Sequence, residues 1–166
     1  NKTLTWQQLG NRTNQVGHYL LSLGLQSGDK VVILMKNSNE MMESILGVIS
    51  AGLVVVPLNI AINDQAIVTM VNNCKAKTII ASDEYIDKID NLKEQFTTVL
   101  DNGYLALNEK SKGWSEYHES IAKMDSQDLN VKITPSDECN IIYSSGTTGL
   151  PKGIVHSHAS RAAWAS

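Results

Sequence analysis

The chain has 166 residues, 42% hydrophobic and 19% charged, an ordinary globular composition that can bury one sizeable core. A net charge of −3, with Lys and Arg scattered and never in a run, offers no broad basic surface for nucleic acid or anionic lipid, so any nucleotide bound here should be a small molecule. The two cysteines, Cys74 and Cys139, lie far apart with no Cys or His at metal-ligand spacing, so neither a disulfide framework nor a zinc site is indicated.

Residues 1–5 lack the features of a signal peptide. Thr5-Trp6-Gln7-Gln8 has the spacing of a capping box, and Trp6, Leu9, Thr13, Val16, Leu20 and Leu23 recur at steps of three or four, which predicts an amphipathic helix over 6–23 with Gly24 as its stop. Val31-Val32-Ile33-Leu34-Met35 is apolar at successive positions and rich in β-branched residues, as a strand covered on both faces should be. Asn37-Ser38-Asn39-Glu40 supplies a cap, and Met41, Ile45, Val48 and Ile49 form one face of the next helix, widened by Met42 and Leu46; the methionines read as core filler. Leu53-Val54-Val55-Val56-Pro57 is the next buried strand, and the apolar run 53–58 is far too short to span a bilayer, so no membrane span is expected and a cytoplasmic setting is.

Asn63 can cap a third helix that stacks Ile67, Met70, Val71 and Cys74 on one side, making Cys74 a small core residue rather than a nucleophile. A strand over 77–81, a short helix over 83–92 and a short strand over 97–100 continue the alternation. Single helices between strands imply βαβ units, and so an α/β fold with an open, doubly wound, mostly parallel sheet and flanking helices. Residues 114–124 suit an amphipathic helix, and 125–137, polar and proline-bearing, suit a linker. The expected organisation is therefore an α/β subdomain over 1–124, the linker 125–137, and a strand, loop and helix start over 138–166. The missing initiator Met and a last helix, 159–166, that stops mid-pattern make both ends read as cut.

The apolar run Cys139-Asn140-Ile141-Ile142-Tyr143 leads into Ser144-Ser145-Gly146-Thr147-Thr148-Gly149-Leu150-Pro151-Lys152-Gly153, ahead of a short strand at Ile154-Val155. Three glycines leave backbone N–H groups open to an anion, four hydroxyls add donors, and Lys152 adds a mobile cation, which together suit a polyphosphate. Lys152 follows Pro151 and precedes Gly153, so this is not the P-loop arrangement of Gly, four residues and Gly-Lys-Ser/Thr. The plain alternative is a flexible surface loop with an incidental lysine. His156 and His158 flank Ser157 beyond the loop; either the pair faces a bound ligand or it closes a polar strand end, and no third residue is at hand for a metal. His18 and His118 read as surface or packing residues, and the acidic residues as solvent-facing, with no close carboxylate pair for acid–base chemistry.

The stretch from Tyr143 to Gly153 resembles the core motif of the adenylate-forming acyl-CoA synthetases, relatives of firefly luciferase and of peptide-synthetase adenylation domains, with Ser144 where a threonine is usual. Leu4-Thr5-Trp6-Gln7-Gln8-Leu9, Gly28-Asp29-Lys30-Val31, Asn37-Ser38-Asn39-Glu40, and Gly47 through Ala51-Gly52 to Pro57-Leu58-Asn59 are similar to that family's N-terminal blocks. The resemblance covers essentially the whole chain but only the N-terminal part of the large adenylate-forming domain. It implies two steps: a small-molecule carboxylate and Mg-ATP give an acyl-adenylate and pyrophosphate, and coenzyme A then takes the acyl group as a thioester. It implies that Ser144 helps hold Mg2+, that Ser145, Gly146, Thr147, Thr148 and Gly149 wrap the β- and γ-phosphates, that Lys152 acts on them, and that His158 lies near the acyl and adenylate sites. The family's adenine-stacking segment, ribose-binding aspartate, hinge and C-terminal lysine are not in this sequence. The implied partners are the remainder of the adenylation domain and a C-terminal domain, and the 166 residues alone should not turn over. A carrier-protein acceptor of the peptide-synthetase type, and a non-catalytic nucleotide-binding module, are the alternatives.

Overall fold

The computed structural model describes residues 3–59, 61–108, 111–144 and 151–163. Helix α1 (Trp6–Ser22) starts as its capping box demands: Gln8 N donates to Thr5 Oγ1 at 3.1 Å, and Thr5 N donates to Gln8 Oε1 at 2.8 Å. Gly24, at φ +90°, ends it in a conformation that costs a glycine little. Strand β1 (Lys30–Leu34) leads to α2 (Asn39–Ser50), capped by Ser38, and β2 (Val54–Pro57) to α3 (Asp64–Asn73), capped by Asn63. Then come β3 (Ala76–Ala81), a 3-10 turn (Asp83–Tyr85) running into the short α4 (Ile86–Asp90), β4 (Tyr104–Ala106), β5 (Ser115–Glu116) and α5 (Tyr117–Ala122). The described chain closes with β6 (Glu138–Ser144), β7 (Lys152–Ser157) and α6 (His158–Ala162).

The strands form one seven-stranded sheet in the order β5-β4-β3-β1-β2-β6-β7, parallel throughout except for the antiparallel pair β6–β7. Because successive strand residues face opposite ways, the central strands feed two cores. Val31, Ile33, Val55 and Ile80 pack with Val16, Leu20, Val48 and Ile121 of α1, α2 and α5. Val32, Val54, Val56 and Ile79 pack with Ile67, Val71, Ile86 and Ile89 of α3 and α4. Burial on both faces is why these strands read as unbroken apolar runs rather than as alternating ones.

Several elements differ from the sequence expectation. Residues 97–100 are not a strand: Thr97 N bonds Asn72 Oδ1 at 3.0 Å and Thr98 Oγ1 bonds Ala76 O at 2.8 Å, so the threonines tie off the end of α3, and the sheet resumes at β4. The helix expected over 114–124 is shorter, because Ser115 and Glu116 pair with β4 and Glu116 accepts from the His118 and Glu119 N–H groups as its cap. Trp6, placed by its spacing on the apolar face of α1, is 88% exposed. Glu43 is 1% exposed in spite of the solvent-facing reading of the acidic residues. It lies between α1, α2 and α5, where Arg12 Nε reaches its Oε1 at 2.6 Å and the Tyr117 hydroxyl its Oε2 at 3.3 Å. Burial works against the Arg12 charge, and the hydrogen bond and charge of Glu43 outweigh it, so the guanidinium is held above its ordinary value. Gly47 lets the two helices approach this closely, with room for no Cβ beside Val16.

Residues 123–137 carry no helix or strand, yet 124–128 lie along α1. Asn14 Nδ2 reaches Ser126 O at 2.9 Å, Gln15 Nε2 reaches Met124 O at 3.2 Å, and His18 Nε2 lies 3.0 Å from Gln127 O. Among the described residues no helix is long and apolar enough to cross a membrane.

Candidate functional site

The carboxyl ends of β1, β2, β3 and β6 share one edge of the sheet, the edge at which open α/β sheets bind ligands. There β6 and β7 form a hairpin in which Ser144 pairs with Lys152, Tyr143 with Gly153 and Ile142 with Ile154. The sequence thus folds as its apolar runs suggest, with β7 longer than the two residues expected. The antiparallel register sets the Ser144 hydroxyl and the Lys152 ammonium on neighbouring strands at the head of the hairpin. Of the expected phosphate-binding residues, Ser145, Gly146, Thr147, Thr148 and Gly149 lie outside the described residues.

A cleft of about 390 Å³ opens beside this head, walled by Pro57, Asn59, Ala66, Met70, Tyr143 and Ser144 among others. It adjoins a shallower hollow of about 530 Å³ at the ends of β1 and β2, which also uses Leu58 and Asn59. Another hollow, of about 400 Å³, lies between α1 and residues 126–128 and is lined by Trp6, amides and Asp128. It offers no cation and shares no residue with the strand ends, so the hairpin edge is the better place for an anionic ligand.

The charges at the edge are largely spoken for. Lys36 lies 3.0 Å from Glu84, whose hydrogen bond holds the ammonium above its ordinary value, while a bond from its own backbone N–H and the bond from Lys36 hold the Glu84 carboxyl low. Lys88 pairs with Asp64 at 3.2 Å and donates to Ile62 O at 2.9 Å. Lys152 is exposed and has no carboxylate partner among the described residues, so its charge is available to a ligand. No group of three His, Cys, Asp or Glu side chains converges on a metal position among the described residues. Cys74, buried against α3, has its thiol pushed up to about 11 by burial, as suits a core residue rather than a nucleophile.

His158 is not brought to this site. It follows Ser157, which pairs with Glu138 at the opposite end of the hairpin, so six residue steps of extended chain, about 20 Å at ~3.3 Å each, separate it from Lys152. There its backbone N–H donates to Asp137 O at 3.0 Å, and its Nε2 is buried with no hydrogen-bond partner among the described residues. The bonds from the Thr134 N–H and hydroxyl, aided by the His158 charge, hold the Asp137 carboxyl below the usual range. A separation of six looks close in sequence and is far in space when the residues between are a strand.

One residue that the sequence placed in the motif but gave no role is prominent here: the Tyr143 hydroxyl lies 2.6 Å from Asn73 Oδ1 and 3.2 Å from Met70 O of α3. Burial beside Cys74 pushes its phenol up, so it stays a donor. Its place in the motif, directly before Ser144, was the available signal.

Comparison with known proteins extends this geometry. The model of the family described as AMP-binding enzyme matches residues 1–165. The fatty acid–[acyl-carrier-protein] ligase ScoC of Streptomyces coeruleorubidus is 30% identical over 159 residues, which are 96% of this chain and 29% of that protein. The mitochondrial acyl-coenzyme A synthetase ACSM2B of Homo sapiens is 31% identical over 163 residues, 96% of this chain and 28% of that protein. Among solved structures, the anthranilate CoA ligase AuaEII in complex with anthranoyl-AMP superposes with a TM-score of 0.90 at 27% identity, covering 95% of this chain and 30% of that one. The chain therefore spans somewhat under a third of the length of the relatives it matches.

Proposed function

We propose, from the premise that this chain belongs to the AMP-binding enzyme family, that it is the N-terminal part of an ATP-dependent acid–thiol ligase of the acyl-CoA synthetase type. A carboxylate oxygen of the substrate attacks the α-phosphorus of Mg-ATP. The bond from that phosphorus to the bridging oxygen breaks, and pyrophosphate leaves with the electron pair. The thiolate of coenzyme A then attacks the acyl carbon, and AMP leaves as the thioester forms.

The observation that carries this reading is the pairing of Ser144 with Lys152 at the carboxyl edge of a doubly wound sheet, with Lys152 exposed and free of any carboxylate partner among the described residues. An ammonium and a hydroxyl held at the departing pyrophosphate stabilise charge that grows as the bond breaks, which lowers the barrier rather than merely binding substrate. We assign Ser145, Gly146, Thr147, Thr148 and Gly149 to the β- and γ-phosphates, and Lys152 to the same charge. Magnesium arrives with ATP, and Ser144 offers it one oxygen; a hydroxyl suits this hard cation. His158, at the far end of β7, is given no step. The free thiols of Cys74 and Cys139 suit a reducing compartment such as the cytoplasm.

The test is carboxylate-dependent exchange of labelled pyrophosphate into ATP. The full-length protein should exchange with at least one carboxylate of a broad panel, and residues 1–166 alone should not. Robust exchange by the 166 residues would show that the adenine pocket and C-terminal parts are dispensable, and none by the full-length protein with any acid would overturn the assignment. A second reading, with a carrier-protein thiol as acceptor, is favoured by the likeness to the carrier-protein ligase ScoC. Supplying the purified adenylate-loaded enzyme with coenzyme A or with a phosphopantetheinyl carrier protein separates the two.

A further inference from the structure

We propose that Tyr143 is a positioning residue: its side chain fixes the hairpin head bearing Ser144 and Lys152 against α3, and so sets where those two groups meet the phosphates. The inference rests on the phosphate-gripping reading above and adds a residue that reading does not use.

The sheet itself gives the head little support. β6 pairs with β2 only at Val55–Asn140, four residues before Ser144, and β7 is the last strand of the described sheet, with Ile154 and Val155 half exposed. A hairpin held at its base can swing at its tip unless something ties it down. Tyr143 is that tie. From the penultimate position of β6 its ring packs against the core shared with α3, and its hydroxyl donates to Asn73 Oδ1 at 2.6 Å, with Met70 O at 3.2 Å as the second acceptor within reach. A phenol has one proton to give, and the shorter contact takes it.

The same ring reaches the other arm of the hairpin. A Cβ at Gly153 would stand 3.1 Å from Tyr143 Cε1 and Cζ, so the ring occupies the space that a side chain on β7 would fill. Tyr143 pairs with Gly153 in the rung adjacent to Ser144–Lys152. One side chain thereby touches the strand of the hydroxyl, the strand of the ammonium, and the helix that walls the cleft. Groups that act on a transition state must be held to within a fraction of an ångström, and losing a supporting contact shows in kcat before it shows in folding.

The experiment uses the full-length protein and two variants. Tyr143→Phe keeps the ring and removes the hydroxyl. Asn73→Ala removes the acceptor at an exposed position, where folding has little at stake. Each should lower kcat for pyrophosphate exchange by about tenfold, the worth of one well-placed hydrogen bond, with KM for the carboxylate and the rate of thioester formation from preformed adenylate unchanged. The double variant should be no slower than the slower single one. Variants that melt earlier while kcat and KM stay at the parent values would show a structural contact only and overturn the proposal, as would multiplying effects in the double variant. Absence of exchange in the parent protein would sink the ligase reading and this inference together, whereas an active parent with unaffected variants would sink this inference alone.

Discussion

Removing the Arg12 side chain should expose how the α1–α2–α5 interface is held together. Glu43 is 1% exposed, with one oxygen 2.6 Å from Arg12 Nε and the other 3.3 Å from the Tyr117 hydroxyl, which in turn accepts from Ser44 at 3.2 Å. Arg12→Ala leaves that carboxylate buried with hydroxyl help only, a situation that costs about 3–5 kcal/mol. Arg12 is 24% exposed, so water can reach part of the vacated space and the lower end applies, about 3 kcal/mol. For a chain of this size that is a fall in Tm of about 6–12 °C. Urea and thermal unfolding followed by circular dichroism would measure it. The discriminating partner is Arg12→Ala/Glu43→Gln: a neutral amide needs no counter-charge, so the second change should return about half of the loss. An Arg12→Ala cost below about 1 kcal/mol, or a further loss on adding Glu43→Gln, would refute the idea that an uncompensated buried charge is what the arginine prevents.

Lys152→Ala in the full-length protein should slow adenylate formation by about a hundredfold while slowing thioester formation much less, since in the proposed reaction only the first step expels pyrophosphate; stopped-flow measurement of the two half-reactions decides, and equal slowing would argue against the role. Gly47→Ala would set a Cβ 2.6 Å from Val16 Cβ and 2.9 Å from Thr13 O, forcing α1 and α2 apart at about 1–3 kcal/mol, seen as a lower urea midpoint. Asp90 contributes to the acid dependence: burial disfavours its charge, but the bonds from Lys93 at 2.6 Å and Trp114 Nε1 at 2.8 Å outweigh this and hold its carboxyl below the ordinary 3.8. Its folded value lies below its unfolded one, so the stability it contributes is present above about pH 4 and is lost as pH falls through the folded value. Asp90→Asn should therefore destabilise at pH 7 and converge with the parent as pH falls below the folded value in matched urea titrations.

The capping residues and unbroken apolar strands were legible because their causes are local: Thr5, Ser38 and Asn63 each accept from a backbone N–H a few residues on, and β1 and β2 need no distant partner to be recognised as buried. Residues 97–100 deceived for a non-local reason. Threonine and valine suit a strand, but Asn72 and Ala76 offer their hydrogen bonds from α3 and β3 instead. β5, only two residues long, is a strand solely because β4 lies alongside.

At the candidate site the division is similar. Composition and order of residues 144–153 suit a polyphosphate, since glycines, hydroxyls and a lysine carry their reactivity wherever they stand, whereas the reaction itself was implied only by the resemblance of Tyr143 to Gly153 to a family motif. Which of them meet is a matter of register. Antiparallel pairing carries Lys152 back beside Ser144, eight residues away in the chain, while the extended run of β7 carries His158 to the other end of the hairpin. The same holds for the Tyr143 contact with Asn73, and for the burial of Glu43 under Arg12, residues separated by 70 and 31 positions. Sequence determined the parts and their chemical kinds; only the packing of helices on the sheet decided the distances between them, because contacts between residues far apart in the chain are made by the fold.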